Sequence, residues 1–340
     1  MKRIILYFVI LSLAVTPANA RRFASGPFEL LVYPAKASES AQKYQLLPNA
    51  DKQTDADAVP LYEKAIQAMP RGRTQDKKIQ EWLQLPPEQL PANQVEKVIQ
   101  KHTESLRLVA QAARCKQCNW PKWKPGTMPP DQTEYRSLAF LLELWARLEI
   151  VRGGYDGALL AMQTGFGMAR HIAQAPTSVQ AMVGTAIGGL MCKEVELFIK
   201  GKDSPNLYWA LANLPRPLAD VENAIESDRA NLKNYNFLIR REFEKQLKPA
   251  HDRMLFIAKR LDNNLNALQC VEAIRNYAAT HEGRLPEKLS DISDLELPTD
   301  VMNDKAFGYR RTATGAVLES QMPEGADEAD VVRYQVVLKK

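Results

Sequence analysis

Two apolar stripes separated by a pair of glycines constrain this chain more than any other feature. Leu138, Leu141, Leu142, Trp145, Leu148 and Val151 recur at helical spacing, and so do Leu159, Met162, Phe166, Ala169 and Ala173. Gly153 and Gly154 interrupt the pattern between them. Two helices joined by so short a break must lie antiparallel and bury their stripes against each other. After Pro176 a third helix is expected from Ser178 towards Ile199, in which Gly184, Gly188 and Gly189 clear one face for a close neighbour.

The same reading extends outwards. Asp55 or Asp57 can cap a helix with Pro60 in its first turn, and Asn93 can cap a longer one whose stripe runs from Val95 to Ala113. Downstream, residues 220–247 and 254–280 predict two helices divided by Pro249. Residues 306–312, 315–320 and 331–338 are short β-leaning runs, with Thr314 and Gly315 suited to a hairpin turn. The expected fold is mainly α, built of stacked helical hairpins as a solenoid or bundle, with a small α+β unit at the C-terminus. The expected division is a leader over 1–20, an irregular or partly extended lead-in over 21–54, a helical domain over 55–262 and the α+β unit over 263–340.

The leader is read from Lys2 and Arg3, an apolar run over 4–15, and Ala18-Asn19-Ala20 at the spacing of a signal-peptidase site. Cleavage after Ala20 is expected to deliver the protein to the periplasm or the extracellular space. The apolar run is shorter than the ~20 residues a spanning helix needs. Residues 179–199 are the best later candidate for a span, but Gln180, Lys193, Glu194 and Glu196 mark them as a buried helix of a soluble core. No transmembrane helix is therefore expected in the mature chain. With 45% hydrophobic and 25% charged residues the composition is that of an ordinary globular protein. The formal charge of +5 includes Lys2 and Arg3, and the remaining basic residues are scattered, so nucleic acid is not an expected partner. The acidic stretch within 287–330 reads as a solvated surface.

Cys115-Lys116-Gln117-Cys118 is the sharpest local motif. In an oxidising compartment such a pair can cycle as a dithiol, form a structural disulfide or contribute to a metal site. It ends a predicted helix, where the dipole disfavours a thiolate, and Arg114 stands where an oxidoreductase carries an aromatic residue. Metal would need two further ligands at matching spacing, and the sequence offers no second C-x-x-C and no H-x-x-H. A structural or inert pair is the preferred reading, and neither metal nor cofactor is expected. Cys192 and Cys270 read as buried thiols or a mutual disulfide. His102 reads as a core histidine; His171, beside Arg170, is a cleft candidate with no partner evident in the sequence. Trp120 and Trp123, in a proline-rich loop, are candidate binding residues, weighed against anchoring to the helical body. No nucleophile elbow, zinc-protease helix or nucleotide glycine loop occurs, although paired carboxylates are not legible from spacing.

Residues 138–176 resemble a tetratricopeptide hairpin: Ala146 occupies a small position, Gly153-Gly154-Tyr155-Asp156 is similar to its turn, and Ala158 fills the small position of its second helix. The closing proline comes late and no second copy follows at the family's period. The C-terminal stretch resembles the globular end of a type II secretion pseudopilin, through Ile274-Arg275-Asn276-Tyr277, Gly283, Pro286, Leu297-Pro298, Asp300 and Phe307-Gly308-Tyr309. The N-terminus departs from that family, so the resemblance implies a fold and not filament assembly. Taken whole, the arrangement resembles uncharacterised exported bacterial proteins, from which no functional residues carry over. The expected function is binding, of an envelope protein or an extended ligand, in the groove that helical stacks provide. Its rivals are a thiol-redox enzyme using Cys115 and Cys118, a carboxylate hydrolase, and a purely structural envelope component.

Overall fold

A computed structural model describes residues 28–41, 43–70, 73–121, 132–231, 236–322 and 330–339. The predicted leader and Trp123 lie outside these. The described chain is mainly helical, with ten α-helices and a small sheet.

At the centre are α5 (Thr133–Val151), α6 (Tyr155–Ala173) and α7 (Ser178–Ile199), each packed on the other two. Gly153 ends α5 at φ 71°, a left-handed conformation that glycine adopts without steric penalty. Its N–H donates to the carbonyl of Ile150 at 3.0 Å, and the N–H of Gly154 donates to that of Glu149 at 2.8 Å. Those two bonds satisfy orphan carbonyls at the helix end and reverse the chain into α6. Thr177 caps α7, its side chain accepting from the N–H of Gln180. The predicted glycine face is real at two of its three positions. A Cβ on Gly184 would lie 2.5 Å from the carbonyl oxygen of Ala169 on α6; one on Gly188 would meet Leu218 and Leu261 instead, and one on Gly189 meets nothing within 4 Å.

Around this centre, α1 (Val59–Ala68) packs on α4 (Thr103–Ala112), while α2 (Arg73–Gln84) and α3 (Ala92–Lys101) cover α5. The single long helix expected up to Ala113 is thus two, broken at the buried His102, whose Nδ1 lies 2.8 Å from the carbonyl of Val98. On the other side α8 (Tyr208–Ala212), α9 (Val221–Asn231) and α10 (Phe237–Thr280) follow. Here the expected break at Pro249 does not occur, and α10 continues through it for 44 residues. Proline removes one donor to the carbonyl four residues back, at Lys245; both residues are exposed, so water can serve that carbonyl.

β1 (Phe28–Val32), β4 (Gly308–Arg311), β5 (Ala316–Glu319) and β6 (Arg333–Leu338) form one sheet in the order β1-β6-β5-β4, with β1 parallel to β6 and the other pairs antiparallel. The lead-in thus supplies an edge strand to the C-terminal sheet, with Leu30 paired to Val336 and both fully buried. β2 (Thr54–Asp57) and β3 (Cys115–Gln117) form a separate parallel pair. One buried apolar cluster joins lead-in, helical body and tail, from Leu30 through Leu142 and Phe166 to Val336.

Buried ions fasten the pieces. Arg275 on α10 is fully buried and uses all five donors: Nε to the carbonyl of Tyr33 (2.9 Å), Nη1 to both oxygens of Glu272 (3.0 and 2.9 Å), and Nη2 to the carbonyl and Oγ of Ser204 (3.0 Å each). Arg147 on α5 binds Glu194 of α7 at 2.5 Å and the carbonyl of Leu83 at 2.6 Å, with Glu143 at 3.5 Å. Such pairs hold only when their hydrogen bonds are complete, and breaking one is far more damaging than never having had it.

Candidate functional site

The C-x-x-C motif, Trp120 and His171 converge on the C-terminal end of α6. Gly167 permits this: a Cβ there would lie 2.9 Å from that of Ala113, so the end of α4 closes directly on α6. The chain then enters β3 at Cys115, and β2 pairs with it, Thr54 donating to the carbonyl of Arg114 at 2.9 Å. Asp57 fixes the next turn, its Oδ1 accepting from the N–H groups of Val59 (3.1 Å) and Asn119 (3.0 Å). Burial pushes the Asp57 carboxyl up, but these bonds outweigh it and hold the group below its ordinary range.

His171 is 8% exposed, and its Nδ1 lies 3.0 Å from the hydroxyl of Tyr62 on α1. Its carbonyl accepts from Nε1 of Trp120 at 2.7 Å and from Sγ of Cys118 at 3.7 Å. The Trp120 ring packs edge-on against Tyr135, and Tyr135 against Tyr62. Trp120 is half-buried and anchored to the helical body by both its ring and its N–H. The residue that lacked a partner in the sequence therefore has one from α1, over a hundred positions away.

The electrostatics leave little nucleophilic character. Burial, then the charge of Asp57, pushes the Cys118 thiol up to about 12. Burial, then the charge of Arg170, brings His171 down to about 4, against a backbone bond to Cys115 and the charge of Asp57. At neutral pH the thiol is protonated and the imidazole neutral. Cys115 is buried and its Sγ donates to the carbonyl of Gln111 at 3.6 Å. The disulfide expected of the motif is not formed: Cys115, Cys118, Cys192 and Cys270 are all free thiols, so the alternative pairing of Cys192 with Cys270 is absent too. Local geometry accounts for this. Each thiol of the motif donates to its own helical carbonyl, Cys115 to α4 and Cys118 to α6, while Cys270 turns to the carbonyl of Pro298 at 3.9 Å.

Beside His171 opens a cleft of about 220 Å³, lined by Lys116, Arg170, Gln174 and Gln53 together with Leu47 and Pro48. Its walls come from three separate segments, 47–53, 113–116 and 167–174, which is why no motif announced it. Comparison with protein families, with curated proteins and with solved structures finds no match for this chain. Among the described residues no group of three or more His, Cys, Asp or Glu side chains converges as metal ligands, and no helix is long and apolar enough to cross a membrane. The buried carboxylates Glu143 and Glu194 both lie against Arg147 inside the helical core, away from the cleft.

Proposed function

We propose that this protein is an exported binding module of the cell envelope, taking another envelope protein or an extended ligand against its helical body. The cleft at the end of α6 is the surface we assign to that role. One observation carries the reading: the residues that would perform thiol chemistry, Cys118 and His171, are held protonated and neutral respectively, His171 as a wall residue of the cleft fixed by Tyr62 and Cys118 bonded to its carbonyl. A preformed wall with a mixed apolar and polar lining suits recognition, because little ordering is needed when a ligand arrives. In this reading α5 and α6 are a tetratricopeptide-like hairpin, the C-terminal unit is pseudopilin-like in fold alone, and the signal-like N-terminus directs export.

The test is capture from envelope extracts with the purified chain and with Gln174→Trp, a change at an exposed cleft position that fills the opening. A stoichiometric partner bound by the wild type and lost by the variant supports the proposal. Catalytic reduction of insulin by the wild type, abolished by Cys115→Ser with Cys118→Ser, decides for the redox rival instead.

A further inference from the structure

The cleft contains a charge that no carboxylate among the described residues pairs with. Seven arginines among the described residues are buried or half-buried: Arg147, Arg170, Arg216, Arg240, Arg260, Arg275 and Arg333. Arg147, Arg240, Arg260, Arg275 and Arg333 each pair with a carboxylate. Arg216, which lines a second cleft, spends its guanidinium on Asn266 Oδ1 at 2.9 Å and on the carbonyls of Leu214 and Pro215. Arg170 alone has neither an ion pair nor a side-chain hydrogen bond among the described residues. Burial by itself shifts its guanidinium down, with no nearby carboxylate among the described residues to offset the loss of hydration. A half-buried guanidinium with no partner among the described residues leaves its donors to solvent or to a ligand, and pairing recovers part of the hydration lost on burial.

Its surroundings say what would pair. Lys116 lines the same cleft, and among the described residues no acidic one does. The Gln174 side-chain amide is likewise unengaged among the described residues, whereas Gln53 Nε2 donates to the carbonyl of Pro48 at 3.2 Å. A planar guanidinium offers two parallel donors matched to the two oxygens of a carboxylate or phosphate.

We propose that the cleft at the end of α6 binds a compact oxyanion, the carboxylate or phosphate group of a ligand, on the guanidinium of Arg170. Lys116 supplies a second positive charge at the mouth, and Leu47 and Pro48 offer apolar contact to whatever carries the group. The proposal rests on the reading of this cleft as the binding surface and adds the chemistry it selects.

The experiment titrates the purified full chain with inorganic phosphate, with N-acetylglycine and with N-acetylglycinamide, following the His171 ring by NMR and heat by calorimetry. Saturable binding of phosphate or of N-acetylglycine, but not of the amide, is expected, and which of the two binds names the source of the oxyanion. Arg170→Gln should weaken binding about tenfold or more, Arg170→Lys should fall between it and wild type, and Arg114→Gln, exposed and outside the cleft, should bind as wild type does. No saturable binding of either anion to the wild type overturns the proposal, as does undiminished binding by Arg170→Gln. If the anions fail to bind while a partner captured from envelope extract is still lost with Gln174→Trp, the oxyanion falls and the binding surface stands.

Discussion

Gly184→Ala and Gly189→Ala make the same chemical change five residues apart on one helix, and the structure assigns them opposite signs. Replacing glycine by alanine inside a helix raises propensity by ~1 kcal/mol at either position. At Gly189 the new methyl meets nothing within 4 Å, so that gain stands and the protein should become more stable. At Gly184 it would sit 2.5 Å from the carbonyl oxygen of Ala169, 2.7 Å from the amide nitrogen of Ala173 and 2.9 Å from the Cβ of Ala173. Two of those atoms are helix backbone, which cannot rotate aside as a side chain can, so α6 and α7 must separate. Overpacking of this kind costs about 1–3 kcal/mol. Propensity cancels in the difference between the two variants, leaving a gap of about 1–3 kcal/mol that reports packing alone. Urea unfolding followed by far-UV circular dichroism measures it as a difference in midpoint at unchanged slope. Equal midpoints for the two variants would refute the close approach of α6 and α7.

His171 should make the protein acid-labile in a defined window: its folded value of about 4 lies below the ordinary 6.5, so the unfolded chain binds the proton first and stability falls as pH drops from 6.5 to 4. The full loss is about 3 kcal/mol, and a urea series against pH should show that limb flattened in His171→Gln. Arg275→Met should destabilise the fold by about 3–5 kcal/mol, because Glu272 is left as a buried charge without its partner. The same variant loses the bond to Tyr33, so limited proteolysis should cut the lead-in after β1 sooner than in wild type; an unchanged cleavage pattern would remove Arg275 as the fastener.

What the sequence revealed, and what it hid, divides by the range of the interaction. The helices α5, α6 and α7 were legible because their stripes, the glycine break and the stop at Pro176 are all local. The C-terminal strands were legible from short β-branched runs around a turn. The pairing of β1 with β6 was not, since five residues of ordinary alternation carry no mark of a partner three hundred positions away. Pro249 misled because a helix breaks there only if nothing else satisfies the freed carbonyl, and exposure to water does. The three glycines of α7 looked equivalent on paper; which face of a helix meets a neighbour is decided by the neighbour. At the site, Cys115, Cys118 and Trp120 stood out and do come together, but Arg170 and Gln174 gave no signal because the absence of a partner is a property of the folded surroundings.

The geometry around His171 also sets the surroundings of this C-x-x-C apart from those of a redox dithiol. A redox dithiol draws its acidity from a helix N-terminus, where backbone N–H groups stabilise the thiolate. Cys118 instead faces the last carbonyls of α6, the negative end of a dipole, and donates its proton to one of them. That same end opposes any anion in the cleft by about 0.3–1 kcal/mol, so an oxyanion there must be held by something stronger. A hydrogen bond to a charged group contributes about 1.5–3 kcal/mol, and a guanidinium can make two at once. Arg170 therefore outweighs the dipole, and the thiol, which has no cation in contact with its sulfur among the described residues, does not. The two conclusions meet at the same helix end: burial and the charge of Asp57 keep Cys118 protonated beside its last carbonyls, and an anion bound in the cleft relies on Arg170 to offset them.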